Sequence, residues 1–145
     1  MNVKIKKLSP NAKIPERGTP KSAAYDLFAC ISEKVLIRPH ETIKIGTGLA
    51  MALPDDYFAA IYARSGLSTN EGLRPANCVG VCDSDYRGEY IVAVHNDSDF
   101  TRIITPGEKI AQVILQKKYD MDFEEVYELD STERGEGGFG STGMN

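Results

Sequence analysis

The stretch NCVGVCDSDYRGEY, residues 77–90, gathers two aspartates, an arginine and two tyrosines behind an apolar run, with Gly80 and Gly88 on either side of the charged centre. A carboxylate beside an aromatic ring could act as a general base next to a flat surface on which a sugar or a nucleobase rests. Asp83 and Tyr86 carry that possibility; an acidic turn with a packed tyrosine is the plainer alternative. A calcium loop starting at Asp83 is excluded, because Arg87 and Val94 would then stand at two of its ligand positions.

Three further places carry chemistry-bearing residues. ARSGL, residues 63–67, sets an arginine, a hydroxyl and a glycine where an apolar run ends. Arg64, Ser65 and Gly66 suit a phosphate through guanidinium, hydroxyl and free amides; they suit a helix cap with a surface arginine equally well. Gln112 in KIAQVILQ alternates in phase with Ile110 and Ile114. If that face is buried, the amide must bond neighbouring backbone or reach a ligand, since leaving it unpaired costs on the order of 1–3 kcal/mol. Asp26 stands among Tyr25, Leu27 and Phe28, where a carboxylate needs a nearby arginine or a metal-bound water.

The last stretch, STERGEGGFGSTGMN, holds five glycines in fifteen residues and offers only Phe139 for burial. Gly135, Gly137 and Gly140 satisfy G-x-G-x-x-G, but a dinucleotide fold needs a strand before and a helix after, and only five residues remain. The same segment approaches a phosphate-binding loop at Gly140, Ser141 and Thr142 without its lysine. A mobile end is one reading. An anion cradle of glycine amides and hydroxyls, helped by Arg134, is the other.

Composition narrows the class. The chain has 145 residues and a net charge of −4 with two histidines, which suits one domain and a surface that does not attract nucleic acid. An anion would have to be bound locally, by a few placed cations and amides. Cys78 and Cys82 are four apart with no histidine near them, so three reduced thiols are expected rather than zinc. The N-terminal MNVKIKKLSP lacks the apolar core of a signal peptide and no window approaches a membrane span. A cytoplasmic protein is expected, and NDS at Asn96 then carries no meaning as a glycosylation acceptor.

Strands must position these residues. NVKIKKL, YDLFA, KVLIRP, ETIKIGTGLAMALP, EYIVAVHN and KIAQVILQ all read as strands. The apolar run Tyr57 to Ala63 predicts a strand buried on both faces. MDFEEVYEL near-alternates and predicts a further strand, with a bulge at Glu124–Glu125. Turn residues about every ten positions give an all-β sandwich, jelly roll or barrel. The one helix expected lies near SGLSTNEG, capped by Ser65 or Ser68. NCVGV and EYIVAVHN are expected as the arms of a hairpin with DSDYR at its tip, so that Asp83 and Tyr86 face each other across it.

In order, SAAYDLFA, ARSGL, NCVGVCDSDYRGEY, PGEKIAQVIL and RGEGGFGSTG resemble the five motifs of the homotrimeric dUTPase (dUTP diphosphatase) family, over nearly the whole chain. The resemblance implies a jelly-roll-like β domain over residues 1–132. It also implies a Gly-rich arm, 133–145, that closes over a site built by the other two chains of a trimer. The implied reaction is Mg²⁺-assisted hydrolysis of dUTP to dUMP and pyrophosphate, which supplies dUMP for thymidylate synthesis and keeps uracil out of DNA. By position, Asp83 would activate the attacking water and Tyr86 would lie under the deoxyribose and exclude a ribose 2′-OH. Gly80, Val81, Cys82 and Asp83, with Asn77 behind them, would read uracil, and Ile91 would wall the pocket. Arg64, Ser65, Gly66 and Gln112 would hold phosphates, and Asp26 would orient metal-bound water. Arg134, Gly140, Ser141 and Thr142 would grip the distal phosphates while Phe139 stacks on the base. Cys82 and Ala24 depart from the usual aliphatic residue and glycine without removing a functional group.

Two alternatives share the fold: a dCTP deaminase-like enzyme and a non-catalytic nucleotide-binding jelly roll. The first needs a glutamate in the arm YIVAVHN, where Ala93 stands instead. The second could dispense with Asp83 or the tail, and both are present.

Overall fold

A computed structural model describes residues 1–138. Its elements run, in order, β1 Lys4–Lys7, β2 Tyr25–Phe28, β3 Val35–Ile37, β4 Thr42–Gly46, β5 Leu49–Ala52, β6 Tyr57–Tyr62, α1 Ser65–Glu71, β7 Leu73–Pro75, β8 Gly80–Cys82, β9 Ile91–Asn96, β10 Arg102–Ile104 and β11 Lys109–Lys117. The fold is all-β and jelly-roll-like. One sheet has the order β2–β11–β6–β8 and a second β4–β9–β7, accompanied by the pairs β1–β5 and β3–β10. All of these pairings are antiparallel.

One core joins the two larger sheets. Leu27, Ala59, Ile61 and Val113 from the first share it with Ile45, Leu73, Val92 and Val94 from the second. β6 is central, between β11 and β8, and its Ala59, Ala60 and Ile61 are buried, as the continuous apolar run predicts. β9 alternates strictly, with Val92, Val94 and Asn96 inside. The Asn96 side chain is fully buried and donates to Ile37 O at 3.0 Å and Phe100 O at 2.8 Å.

Several expectations need correction. NCVGV and EYIVAVHN are not arms of one hairpin: β8 pairs with β6, while β9 pairs with β4 and β7. The eight residues between them, 83–90, are long enough to cross from one sheet to the other. Neither Ser65 nor Ser68 caps α1. Its N-cap is Arg64, which makes no side-chain cap bond, and Ser68 Oγ donates back to Arg64 O at 3.0 Å. The helix stops at Gly72, which supplies the left-handed backbone at φ 71°. Ile110 does not share the Gln112 face, because the register of β11 against β2 shifts between Lys109 and Ala111 and sends Ile110 into the core.

The strand expected at MDFEEVYEL, with its bulge, does not form among the described residues. Its apolar side chains lie open: Met121 is 71% exposed, Phe123 88% and Leu129 85%. The alternation is present in the sequence, but among the described residues the segment pairs with no strand.

Candidate active site

Three neighbouring strands make the first half of the site. Gln112 on β11 stands opposite Asp26 on β2 and opposite Tyr62 on β6, so the three form one row across the sheet. Two residues beyond Tyr62 the chain turns into α1 at Arg64 and returns the guanidinium over that row. Arg64 Nε donates to Asp26 Oδ1 at 2.8 Å, and Lys109 Nζ meets Asp26 Oδ2 at 2.8 Å. Asp26, 9% exposed, thus holds a cation on each oxygen. Gln112 Nε2 donates to Ala63 O at 2.7 Å and fixes the exit of β6. Of the two partners expected for Asp26, a nearby arginine or a metal-bound water, the arginine is present as Arg64, and Lys109 is a further one.

Asp26, Arg64 and Gln112 line a cavity of about 520 Å³, together with Ser65, Gly66 and Ile114 and with Gly18 and Ser22 from the loop before β2. Arg64 is the cation of this lining, and Lys109 borders a neighbouring cavity that shares Arg64 and Gly66 with it. The first helical amides, at Ser65 and Gly66, have no intrahelical acceptor. The arrangement suits an anion with several oxygens, held by guanidinium, amide and hydroxyl together.

The second half surrounds residues 77–91. β8 lies against β6 with Gly80 opposite Ile61 and Cys82 opposite Ala59. Gly80 has a packing reason: a Cβ there would sit 3.2 Å from both Asn77 Nδ2 and Ile61 Cβ, so Asn77 lies directly behind the strand. Val81 points outward and Cys82 is half-buried. Burial, and then the charge of Asp83, push the Cys82 thiol above its usual range. Asp83 and Tyr86 are both exposed and are joined by a turn, Tyr86 N donating to Asp83 O at 3.2 Å. They are therefore three residues apart on one turn rather than facing across a hairpin. Tyr86 Oη donates to Glu89 O at 3.0 Å, and Ile91 opens β9 exposed.

The two halves do not meet within one chain. Arg64 lies five residues past Ala59, whereas Asp83 lies just past Cys82 at the other end of the same pairing. At 3.3 Å per residue that is roughly 15–20 Å along β6. None of Asn77, Gly80, Val81, Cys82, Asp83, Tyr86 or Ile91 lines the cavity beside Arg64.

Arg134 is exposed, and its Nε donates to Gly137 O at 2.9 Å, which closes a small turn of its own segment. Phe139, Gly140, Ser141 and Thr142 lie outside the described residues. Sequence reading missed Lys109, Glu89 and Tyr90. A cation at the head of KIAQVILQ is the sequence signal for Lys109, and it says nothing of the distant strand that carries Asp26.

A model of the dUTPase family matches residues 10–143 of this chain. A deoxyuridine 5′-triphosphate nucleotidohydrolase from Anaplasma marginale (strain St. Maries) is 41% identical over 145 residues, with 99% of each chain covered. A solved mutant of the Staphylococcus bacteriophage 80alpha dUTPase with dUpNHpp has a TM-score of 0.87 at 29% identity and covers 99% of both chains. A mutant dUTPase from phage phi11 of S. aureus, described with a structural Mg(II) ion, has a TM-score of 0.76 at 26% identity and covers 90% of this chain and all of that one.

Proposed function

This chain belongs to the dUTPase family, and from that membership we propose that it hydrolyses dUTP to dUMP and pyrophosphate at sites shared between three copies. The observation that carries the shared site is the separation of Arg64 from Asp83 along β6. One chain supplies a phosphate cradle at one end and a base-reading turn at the other, too far apart to serve one triphosphate. Copies arranged in a ring, each lending one end to its neighbour, bring the two together. The open apolar arm at 119–129 supports the same assembly, because it has the length and alternation of a strand that pairs on another copy's sheet.

In the assembled site, Arg64, Ser65, Gly66 and Gln112 hold the α- and β-phosphate oxygens. The main chain of Gly80, Val81, Cys82 and Asp83, backed by Asn77, reads the uracil edge, and Tyr86 and Ile91 wall the sugar. The Asp83 carboxylate accepts a proton from water as that water attacks the α-phosphorus in line. The bond from the α-phosphorus to the bridging oxygen breaks, and pyrophosphate leaves with the electron pair. Positioning and charge neutralisation supply most of such a barrier reduction, so no covalent intermediate is needed. Arg134, Phe139, Gly140, Ser141 and Thr142 close the site from the arm, residues 133–145.

Mg²⁺ fits this donor set through the substrate. Among the described residues no three His, Cys, Asp or Glu side chains form a cage, and Mg²⁺ favours phosphate oxygens and retained waters. Asp26 keeps a second lone pair on each oxygen beyond its two cations, so it can accept from a metal-bound water. The ion, bound to the triphosphate, would neutralise charge on the leaving pyrophosphate. We place the enzyme in the cytoplasm, where the free thiols of Cys30, Cys78 and Cys82 would stay reduced.

Pyrophosphate release from dUTP, with UTP, dTTP and dCTP as competitors, tests the reaction. Asp83→Asn is expected to bind dUpNHpp normally while turnover falls by about 10³-fold or more. Undiminished turnover rejects Asp83 as the base, and ammonia release from dCTP rejects the reaction itself.

A further inference from the structure

Tyr86 is exposed on its turn, yet its ring is held at two points. Its hydroxyl donates to Glu89 O at 3.0 Å, and its ring lies 6.1 Å from the Tyr90 ring, centroid to centroid, tilted by 40°. That distance and tilt fall in the favourable range for aromatic pairs.

Residues 89 and 90 are in turn fixed to the segment between β4 and β5. Tyr90 N donates to Leu49 O at 2.8 Å, and Tyr90 O accepts from Thr47 N at 3.1 Å and from Thr47 Oγ1 at 2.7 Å. Thr47 and Tyr90 are both fully buried. Glu89 Oε1 accepts from Gly48 N at 2.7 Å, and a Cβ on Gly46 would collide with the same carboxylate. The Gly46–Leu49 turn therefore sets where residues 89 and 90 stand, and they set where the Tyr86 ring stands.

We infer that Tyr90 is a positioning residue for Tyr86 and thereby a determinant of discrimination between deoxyribo- and ribonucleotides. The inference rests on the reading of Tyr86 as the ring under the sugar. Tyr90 acts through its ring: it is the floor that stops Tyr86 from dropping away and admitting a 2′-OH. The phenol oxygen makes no hydrogen bond within the described residues, so phenylalanine is expected to do the same work.

The test compares kcat/KM for dUTP and for UTP in the full-length protein, with thermal midpoints measured alongside. Tyr90→Leu is expected to lower the dUTP/UTP ratio about tenfold, mainly by raising UTP turnover, and Tyr90→Phe to keep it within about twofold. Thr47→Val, which releases the Tyr90 carbonyl from a hydroxyl, is expected to lower the ratio about threefold and serves if Tyr90→Leu does not fold. A folded Tyr90→Leu or Thr47→Val protein with a lowered midpoint and an unchanged ratio overturns the inference. Tyr86→Ala separates it from the underlying reading. A ratio unmoved by Tyr86→Ala rejects the sugar role itself, whereas a ratio moved by Tyr86→Ala and unmoved at Tyr90 rejects the positioning role alone.

Discussion

Arg64 reaches Asp26 through Nε, at 2.8 Å, so the hydrogen bond that anchors it uses neither terminal guanidinium nitrogen, and both residues line the same cavity. Lys109 takes the other oxygen. Asp26→Asn removes the charge that both cations face. It is expected to cost about 1–3 kcal/mol of stability, below the figure for a fully buried pair because both cations are partly exposed. Turnover at low dUTP is expected to fall about 10²-fold as Arg64 loses its anchor. Lys109→Met keeps the Arg64 pair and is expected to raise KM only several-fold. Equal losses in the two variants would reject the anchoring role.

Gln112 acts on the same arginine from the backbone side, since its amide holds Ala63 O. Gln112→Glu places an acceptor against an acceptor and is expected to cost about 1–3 kcal/mol while weakening substrate binding. Urea midpoints and KM, measured together, check it.

Gly48 is a fold position. Its φ is +67°, and a Cβ would lie 2.7 Å from Cys30 Sγ and 2.9 Å from Ala12 Cβ. Gly48→Ala combines backbone strain with overpacking and is expected to destabilise the protein by about 2–4 kcal/mol, read from urea unfolding.

The arm divides into two parts with different expected effects. A chain ending at Lys118 lacks the open residues Tyr119 to Leu129 and is expected to run as a monomer by light scattering. A chain ending at Thr132 keeps them and is expected to remain a trimer with turnover nearly abolished. A fully active protein ending at Thr132 would reject closure by residues 133–145.

The buried Tyr90 phenol gives the alkaline limb a definite sign. Burial first, then the neighbouring Cys82 and Tyr86, hold its pKa well above the usual phenol value. Stability from that raised value is fully present below the unfolded pKa near 10 and is lost as pH rises from there towards the folded value. Each ionising group of this kind costs about 1.4 kcal/mol per pH unit in that window. Tyr90→Phe is expected to flatten the decline between pH 10 and 11, measured by urea midpoints.

What was legible in the sequence followed the range of the forces that place each residue. The strand in the Tyr57–Ala63 run and the short helix at SGLSTNEG are local patterns, visible from the neighbouring residues alone, although the serines expected as caps do not cap the helix. Asp26 and Gln112 were individually suspicious as polar groups among apolar neighbours, but their standing side by side is a matter of register between distant strands. Lys109 was hidden for the same reason. The β8–β9 hairpin was misread because strands adjacent in sequence pair about two-thirds of the time, and nothing local shows that this chain changes sheets. The alternation at 121–129 predicts a strand, but no strand forms there among the described residues and the side chains lie open.

That change of sheets has a consequence for how such a protein can vary. The edge from Gly80 to Asp83 belongs to β8 and the four-stranded sheet, whereas Glu89 and Tyr90 are moored to the turn that follows β4 of the other sheet. On the proposed reading of the site, the test of the base and the test of the sugar are therefore housed in separate layers of the molecule, connected by one eight-residue span. A lineage could retune its tolerance of the sugar by drift around Thr47 and Tyr90 while its choice of base stayed as inherited, and the reverse holds for changes around Asn77 and Gly80.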